Sequence, residues 1–568
     1  MKRAIANLLA AVALLASGSL SPVAAQDVTF NIARFQVDGN TILPAEKVDA
    51  LVAPYVGPQK RYGDVQKALE ALENEFRRQG YGTVQVYVPE QELTTGVVRL
   101  LVSEGVIGKV TIAGNKYFDD ANVRASLPNL KEGTAPNMRK LSENVQLSNE
   151  NPAKQLEVTL GVSEEEGKVN ARVEVKEEDP ERIYLTLDNT GTKASGKHRI
   201  GIAYQNANLG NSDQVLTLAY TTALDPPGGM KILGNRMLPW QDGNGVKVDI
   251  FSIGYRLPLY SIGDSIDFIY GNSSTDTPST SPTLGTGLGI NGKGEVFGLR
   301  YNHIFPRAGE FTSKLVLGYD YKYMNTRCTL PGTTTPASIE PLIPGIDSCV
   351  PYTLRPVTAT YSGQWQKPGE AIDFNVGVTH HLFPMGSRYQ GVAGIDRYSR
   401  IAVLGQGKDE FTALRFGGSY SAAVPGDWMV RVAANAQHAN NALPAGERLG
   451  LAGQNAVRGF LERAVAADRG YVANFEAYSP DIAASLGVPG NLKWLVFFDT
   501  AHGFNLNPSV NQKVNIASLG IGFRYNLNKD VSARIDIARV MDGVWPNGAP
   551  NVALEGDIRG HFGLAFGF

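Results

Sequence analysis

The chain has 568 residues, a formal net charge of -2 and a mean hydropathy of -0.15, a balance that gives no reason to expect nucleic acid as a partner. Beyond residue 25 no run of about 18 apolar residues occurs, which argues against helical membrane spans. The 62 glycines and 23 tyrosines, set among short alternating runs, instead suit a membrane barrel, in which only every second strand residue faces lipid.

In chain order, Lys2 and Arg3 precede an apolar run over residues 4–16, and Val23-Ala24-Ala25 forms a small-residue cleavage site. This predicts a signal peptide over 1–25 and an exported chain. With no cysteine beside the site, a lipid anchor is not expected. A repeat follows: "FQVDGNTIL" starts at Phe35 and "VTIAGNKYF" at Val110. Each is an alternating strand closed by Gly-Asn, a pair suited to a positive-φ turn. After the first, "VQKALEALENEFRRQGY" sets Val65, Leu69, Leu72 and Phe76 on one helical face and stops at Gly80. Strands "VVRLLVSEG" and "VNARVEVKEE" end the two units. Two small α+β modules are therefore expected, over 26–104 and 105–180. Their order resembles POTRA domains, the polypeptide-binding modules ahead of certain outer-membrane barrels. "LSNENPAKQLEVTL" resembles part of the second such module in secretion transporters.

From 181 to 568 the pattern becomes purely alternating. Sixteen segments start near residues 183, 198, 213, 247, 264, 294, 311, 353, 372, 411, 428, 468, 491, 513, 530 and 560. From Phe311, the odd set with Leu315, Leu317, Tyr319, Tyr321 and Tyr323 is apolar, and the even set with Lys314, Asp320 and Lys322 is polar. An apolar face with aromatic ends suits lipid and a headgroup belt. If the modules lie in the periplasm, connections after even segments are periplasmic. Those are short ("NLGNSD", "PLYSIGD", "FPRAGE", "QKPGE", "VPGD", "NLNKD"), apart from 479–491. Connections after odd segments include the long stretches 224–245, 273–292 and 327–352. This parity predicts a β-rich chain whose C-terminal region is a 16-stranded antiparallel transmembrane β-barrel. The tail "GHFGLAFGF" puts Phe566 and Phe568 on its lipid face and resembles the C-terminal signal read by the barrel-assembly machinery.

Cys328 and Cys349 fall in the fourth extracellular loop. As an isolated pair in an exported chain they are expected to form a disulfide rather than a metal site. The seven histidines are scattered. No motif for a nucleophile, a metalloprotease or a phosphate loop occurs, so no catalytic residue, metal or cofactor is expected.

Between the eleventh and twelfth segments lies "NAVRGFLE". Val457, Arg458, Gly459 and Phe460 resemble the V-R-G-[FY] tip of the sixth loop in POTRA-bearing barrels. In that family the loop folds inward, and its arginine pairs with the aspartate of an F-x-D-x-G motif on strand 13. Here "LKWLVFFDTAHG" matches at Phe497 and Asp499, with Ala501 in place of the glycine. That departure leaves the pair but questions the local backbone. Independently, a carboxylate at membrane depth has to face the lumen, which sets Leu495, Phe497 and Asp499 inside. Glu476, lumen-facing by phase, is the alternative partner.

Most of the mature chain resembles the two-partner secretion transporters (TpsB family), as "LTLDNTGTKASGKHRIGIAY" and "ADRGYVANFEAYSP" also indicate. The resemblance implies export of an unfolded exoprotein, of adhesin, haemolysin or toxin type, from periplasm to cell surface. It implies no ATP at this membrane, and contact with outer-membrane lipid and the assembly machinery. Many members carry an N-terminal plug helix. Only about nine residues separate the cleavage site from Arg34, too few for one, so the sixth loop has more closing to do or the pore is leakier. An assembly or insertase barrel of the same superfamily is the alternative, although such proteins typically carry three or five modules. A passive porin or receptor would leave the modules and the inward loop idle, and an exported enzyme would need a catalytic constellation that the sequence does not show. A neighbouring gene for a large β-helical exoprotein would discriminate among these readings.

Overall fold

A computed structural model describes residues 29–92, 95–191, 196–224, 248–273, 279–280, 289–290, 294–324, 352–381, 410–506, 513–543 and 553–568. The leader expected at 1–25 and the pair Cys328 and Cys349 lie outside the described residues. Two compact units form: one holds the chain up to Val106 with 133–137 and 164–169, the other the remainder.

In the first module, β1 (Phe30–Ile32) pairs with β3 (Gly57–Lys60). A second sheet runs in the order β2 (Arg34–Asp38), β5 (Val97–Ser103), β4 (Gln85–Tyr87). Helices α1 (Ala45–Val52) and α2 (Tyr62–Arg78) cover it. The Asp64 carboxylate accepts the Arg61 N–H, which caps α2, and Gly80 at φ +99° follows its last turn. Val65, Ala68, Leu72 and Phe76 are buried, while Leu69 is only partly so. The apolar face is thus rotated slightly from the one the periodicity predicts.

The second module has β6 (Val106–Ala113), α3 (Asp120–Ser126), α4 (Met138–Asn149), β7 (Lys154–Val162) and β8 (Lys168–Glu177), with sheet order β6-β8-β7. The sequence repeat has a structural counterpart. Gly39 and Gly114 sit at φ +82° and +89°, and a Cβ on either would strike a backbone oxygen, of Val102 and Val175 respectively, at 2.5 and 2.4 Å. Only glycine fits there. Just beyond each glycine, a carboxylate two residues after that carbonyl collects turn N–H groups: Glu104 from Thr41, and Glu177 from Lys116, Tyr117 and Phe118.

The barrel closes with sixteen antiparallel strands, and no observed start differs from its predicted position by more than two residues. The eighth strand is in two pieces, Tyr352–Leu354 and Pro356–Lys367. Alternation sorts the faces. On the seventh strand (Phe311–Met324), Leu317 and Tyr319 are exposed while Asp320 is buried. On the fourteenth (Lys513–Asn526), Leu519, Ile521 and Phe523 are exposed. Tyr323 departs from the expected lipid face: it is buried near the strand's outer end. A band of large exposed apolar side chains around a closed sheet is a lipid-facing surface.

The first strand (Glu181–Asp188) meets the last (Ile558–Gly567) along only five registered pairs, against fourteen between the thirteenth (Asn491–Phe504) and fourteenth. Two features lengthen this seam. Ile183 and Phe568 exchange backbone hydrogen bonds at 3.1 and 2.9 Å. Where the first strand has ended, the Asn189 carboxamide donates to the Gly560 carbonyl (2.9 Å) and accepts the Phe562 N–H (3.0 Å).

The second module docks on the barrel's turn-side rim through buried polar groups. Lys154 Nζ donates to the Asp213 carboxylate and to Asn122 Oδ1 (2.9 Å), and Tyr260 donates to the same carboxylate. Lys154 and Asp213 are 1% and 3% exposed. Burial pulls the Lys154 pKa down from its usual range, and Asp213 opposes that shift. Asn151 donates to the Ala207 carbonyl and Asn144 to the Tyr260 carbonyl, each at 2.7 Å. Glu150 reaches Arg256 (3.2 Å) and Lys314 (2.8 Å) on the barrel wall.

Candidate functional site in the barrel lumen

The sixth loop, residues 440–468, joins the eleventh strand (Trp428–Ala439) to the twelfth (Arg469–Tyr478). It carries its own apolar residues into the lumen. Leu451, Val457, Phe460 and Val465 are almost fully buried against Val472, Ala501, Val514, Ile516 and Val540 of the wall. Burying four such side chains, at about 1.5–3 kcal/mol each, outweighs any single ion pair in holding the loop inside. The polar contacts decide how it is oriented.

Arg458 makes the densest of these contacts. Its Nε donates to Asp499 Oδ2 (2.7 Å) and its Nη2 to Asp499 Oδ1 (2.8 Å), a two-pronged fork, while its backbone N–H reaches the same carboxylate at 3.1 Å. Glu476 Oε1 lies 3.0 Å from Nη2, and Asp536 Oδ1 lies 3.5 Å from Nη1. Phe497 sets its ring beneath the guanidinium, 3.4 Å from the centroid. Asn474 ties Asp499 Oδ1 to the Ala456 carbonyl, at 2.8 Å each. Gly459, at φ +96°, turns the chain and donates its N–H to His561 Nε2 (3.0 Å). Arg458 is 3% exposed and Asp499 0%.

The structure thus brings together Val457, Arg458, Gly459 and Phe460 with Phe497 and Asp499, and it adds Glu476 rather than choosing between the two carboxylates. Ala501 leaves the thirteenth strand regular, paired with Val472 and Ile516, and its methyl joins the apolar packing under the loop. Phe566 lies near the end of the last strand, Ile558–Gly567, past His561, and Phe568 follows it and is exposed.

Sequence reasoning missed Asp536, His561 and Asn474. Strand phase could have found Asp536, because "ARIDIAR" sets it opposite Ile535 and Ile537, both exposed. It also missed Glu447, on the near end of the loop. Glu447 Oε1 binds Lys322 on the seventh strand (2.7 Å) and Oε2 binds Arg415 on the tenth strand, Thr412–Val424 (2.9 Å). Asp468 then pins the loop base, accepting the Leu443 N–H (3.0 Å) and pairing with Arg448 (3.2 Å). The loop therefore spans the lumen. Its arginine engages strands twelve, thirteen and fifteen (Val531–Asp542), and its glutamate engages strands seven and ten.

Comparisons with known proteins agree with this geometry. Residues 30–105 match the family model of the ShlB-type POTRA domain, and residues 372–525 match that of the haemolysin secretion/activation protein ShlB/FhaC/HecB. The heme/hemopexin transporter protein HuxB of Haemophilus influenzae is 19% identical over 535 residues, covering 91% of this chain and 85% of the relative. The outer membrane transporter CdiB of Escherichia coli is 22% identical over 298 residues, covering 52% of this chain and 47% of the relative. Among solved structures, CdiB from Escherichia coli superposes with a TM-score of 0.67 at 18% identity, covering 98% of this chain and 93% of that one. CdiB from Acinetobacter baumannii gives 0.66 at 14% identity, covering 95% and 90%. A closed sixteen-stranded barrel, a ShlB-type module ahead of it and an inward sixth loop occur together here, and the chain is similar to the haemolysin secretion/activation proteins and to these outer-membrane transporters.

Proposed function

We propose that the chain captures an unfolded exoprotein in the periplasm and passes it through the barrel to the cell surface. Modules over 26–104 and 105–180 do the capturing, and the barrel over 181–568 is the conduit. The observation that carries this reading is how the sixth loop is held. When Arg458 leaves, Glu476 keeps Arg431 (3.1 Å) and Asp536 keeps Arg524 (2.9 Å), so the wall tolerates its departure. A loop that can leave its seat without stranding most of the charges beneath it suits a gate on a polymer path. The similarity to a heme/hemopexin transporter and an outer membrane transporter supports a transport role over catalysis. The resemblance also assigns Phe566 and Phe568 to recognition by the assembly machinery, and Cys328 and Cys349, an isolated pair in an exported chain, form a disulfide in the fourth loop.

The test is co-expression with a candidate large exoprotein, such as one encoded by a neighbouring gene, scoring release into the medium. Deletion of 27–178 should abolish release while leaving a heat-modifiable barrel in the outer membrane. Arg458→Ala should reduce release with a normal barrel, and Arg458→Lys should rescue poorly because a point charge lacks the fork. Normal release from the deletion would move substrate capture into the barrel, and normal release from Arg458→Ala would remove the loop from the mechanism.

A further inference from the structure

A cavity of about 1480 Å³ lies within the barrel. This exceeds the roughly 300–1,000 Å³ of small-molecule pockets and suits a stretch of polymer. Its lining is lopsided. It is bounded by strands six (Gly294–Ala308) to eleven, by helix α4 and by the loop segment around Glu447, while neither Arg458 nor Asp499 lines it. Among the described residues, eight lysines and arginines and four carboxylates face it. The three carboxylates that surround Arg458 belong to strands twelve, thirteen and fifteen. The interior thus has a cation-rich wall beside open space and, around the loop's Arg458, carboxylates that are shared with Arg431 and Arg524.

On the basic wall Glu447 is the loop's own carboxylate. It is 3% exposed, and it sits between Lys322 and Arg415, whose side chains are 17% and 38% exposed. Those two cations face the cavity and hold the loop at the same time. If Glu447 withdraws, Lys322 retains, among the described residues, only Asp320 at 3.7 Å, which already binds Arg300 at 2.6 Å. Among the described residues, Arg415 then keeps only neutral acceptors, Gln437 Oε1 (2.9 Å) and Thr379 Oγ1 (3.2 Å), apart from a long contact to the Glu447 carbonyl (3.4 Å). This seat, unlike the Arg458 seat, is left wanting a carboxylate.

We infer that the Lys322–Arg415 pair is a binding site for acidic side chains of the translocating polypeptide, which displace Glu447 and pass along the basic wall. This rests on the export reading and refines it. Glu447 is the contact that the passing chain exchanges, on the opposite side of the lumen from Arg458. A basic segment finds no such exchange, because it would have to compete with Lys322 and Arg415 for the same carboxylate.

The test uses the full-length protein in planar lipid bilayers, with 20-residue glutamate-rich and lysine-rich peptides added on the module side. The glutamate-rich peptide should block the current at a concentration at least tenfold lower. In Glu447→Gln, where the resident competitor is gone, it should block at a still lower concentration. In Lys322→Gln/Arg415→Gln the two peptides should come within about twofold of each other. Equal block in the unaltered protein would overturn the site without reference to any variant's folding. So would a tenfold preference that survives in the double variant. Exoprotein release in cells separates the two readings: sign-selective block without release sinks export alone, and release with equal block sinks this site alone.

Discussion

Two buried cations in this molecule, Lys154 and Arg458, are held on opposite principles. Lys154 at the module–barrel junction has one carboxylate, Asp213, and among the described contacts Asp213 has one cation. Arg458 in the lumen has three carboxylates, two of which own a second arginine. Removing one partner of an isolated buried pair leaves a bare charge out of water, which costs about 3–5 kcal/mol. Removing one partner from a shared network leaves most members satisfied. The first arrangement suits a joint meant to stay closed, the second a contact meant to be made and broken.

The largest expected effect is therefore at the junction. Lys154→Ala should undock the second module, with a local loss of about 3–5 kcal/mol. Hydrogen exchange over Asn151–Leu156 and the turn at Asp213 should rise together, and Lys154→Met with Asp213→Leu should restore much of the protection. If Lys154→Ala leaves exchange unchanged, the junction is not held by this pair. Next comes Arg458→Ala, which strands Asp499 alone and should cost about 1–3 kcal/mol. Protease should then reach residues 453–463 while the barrel keeps its heat-modifiable mobility. Cleavage as slow as in the parent would erase the contrast drawn above. Asp536→Asn should cost less, roughly 0–1 kcal/mol, because its approach to Arg458 is 3.5 Å and Asp499 keeps the fork.

The smallest effect lies outside both sites and calibrates them. In the first module Arg78 and Gln79, with Lys47, hold the Glu75 carboxyl at about 2, below its ordinary 4.5. A depressed carboxyl adds stability above pH 4.5 that is lost as pH falls toward 2. Exchange along helix α2 should accelerate across that window, and Glu75→Gln should flatten the response. A profile equally steep in the variant would assign the acid sensitivity elsewhere.

Strand positions were legible because a two-residue period is a strong signal once one face meets lipid, and the turns are marked by Gly, Pro, Asn and Asp. The Arg458–Asp499 contact was legible from a short motif plus the rule that a carboxylate in the membrane faces inward. Glu447 was not. It lies in "PAGERLG", a polar stretch with no period, and its partners Lys322 and Arg415 are about 125 and 32 residues away in sequence. Such pairs depend on how far around the barrel a loop reaches, which no local pattern encodes. The Lys154 lock was hidden differently. The stretch containing it reads as an ordinary strand start, and nothing in its composition says that a turn of the barrel will cover it.

The Asn189 carboxamide has one more consequence. It offers a donor and an acceptor where the first strand has run out, so a side chain performs two rungs beyond the five registered pairs of this seam. Zippers open at their weakest tooth. A join that ends on a rotatable group rather than a fixed peptide unit can let go there without bending either strand. Unfastening of this cylinder should thus begin at its outer rim beside Asn189, and run inward toward the chain's last residue.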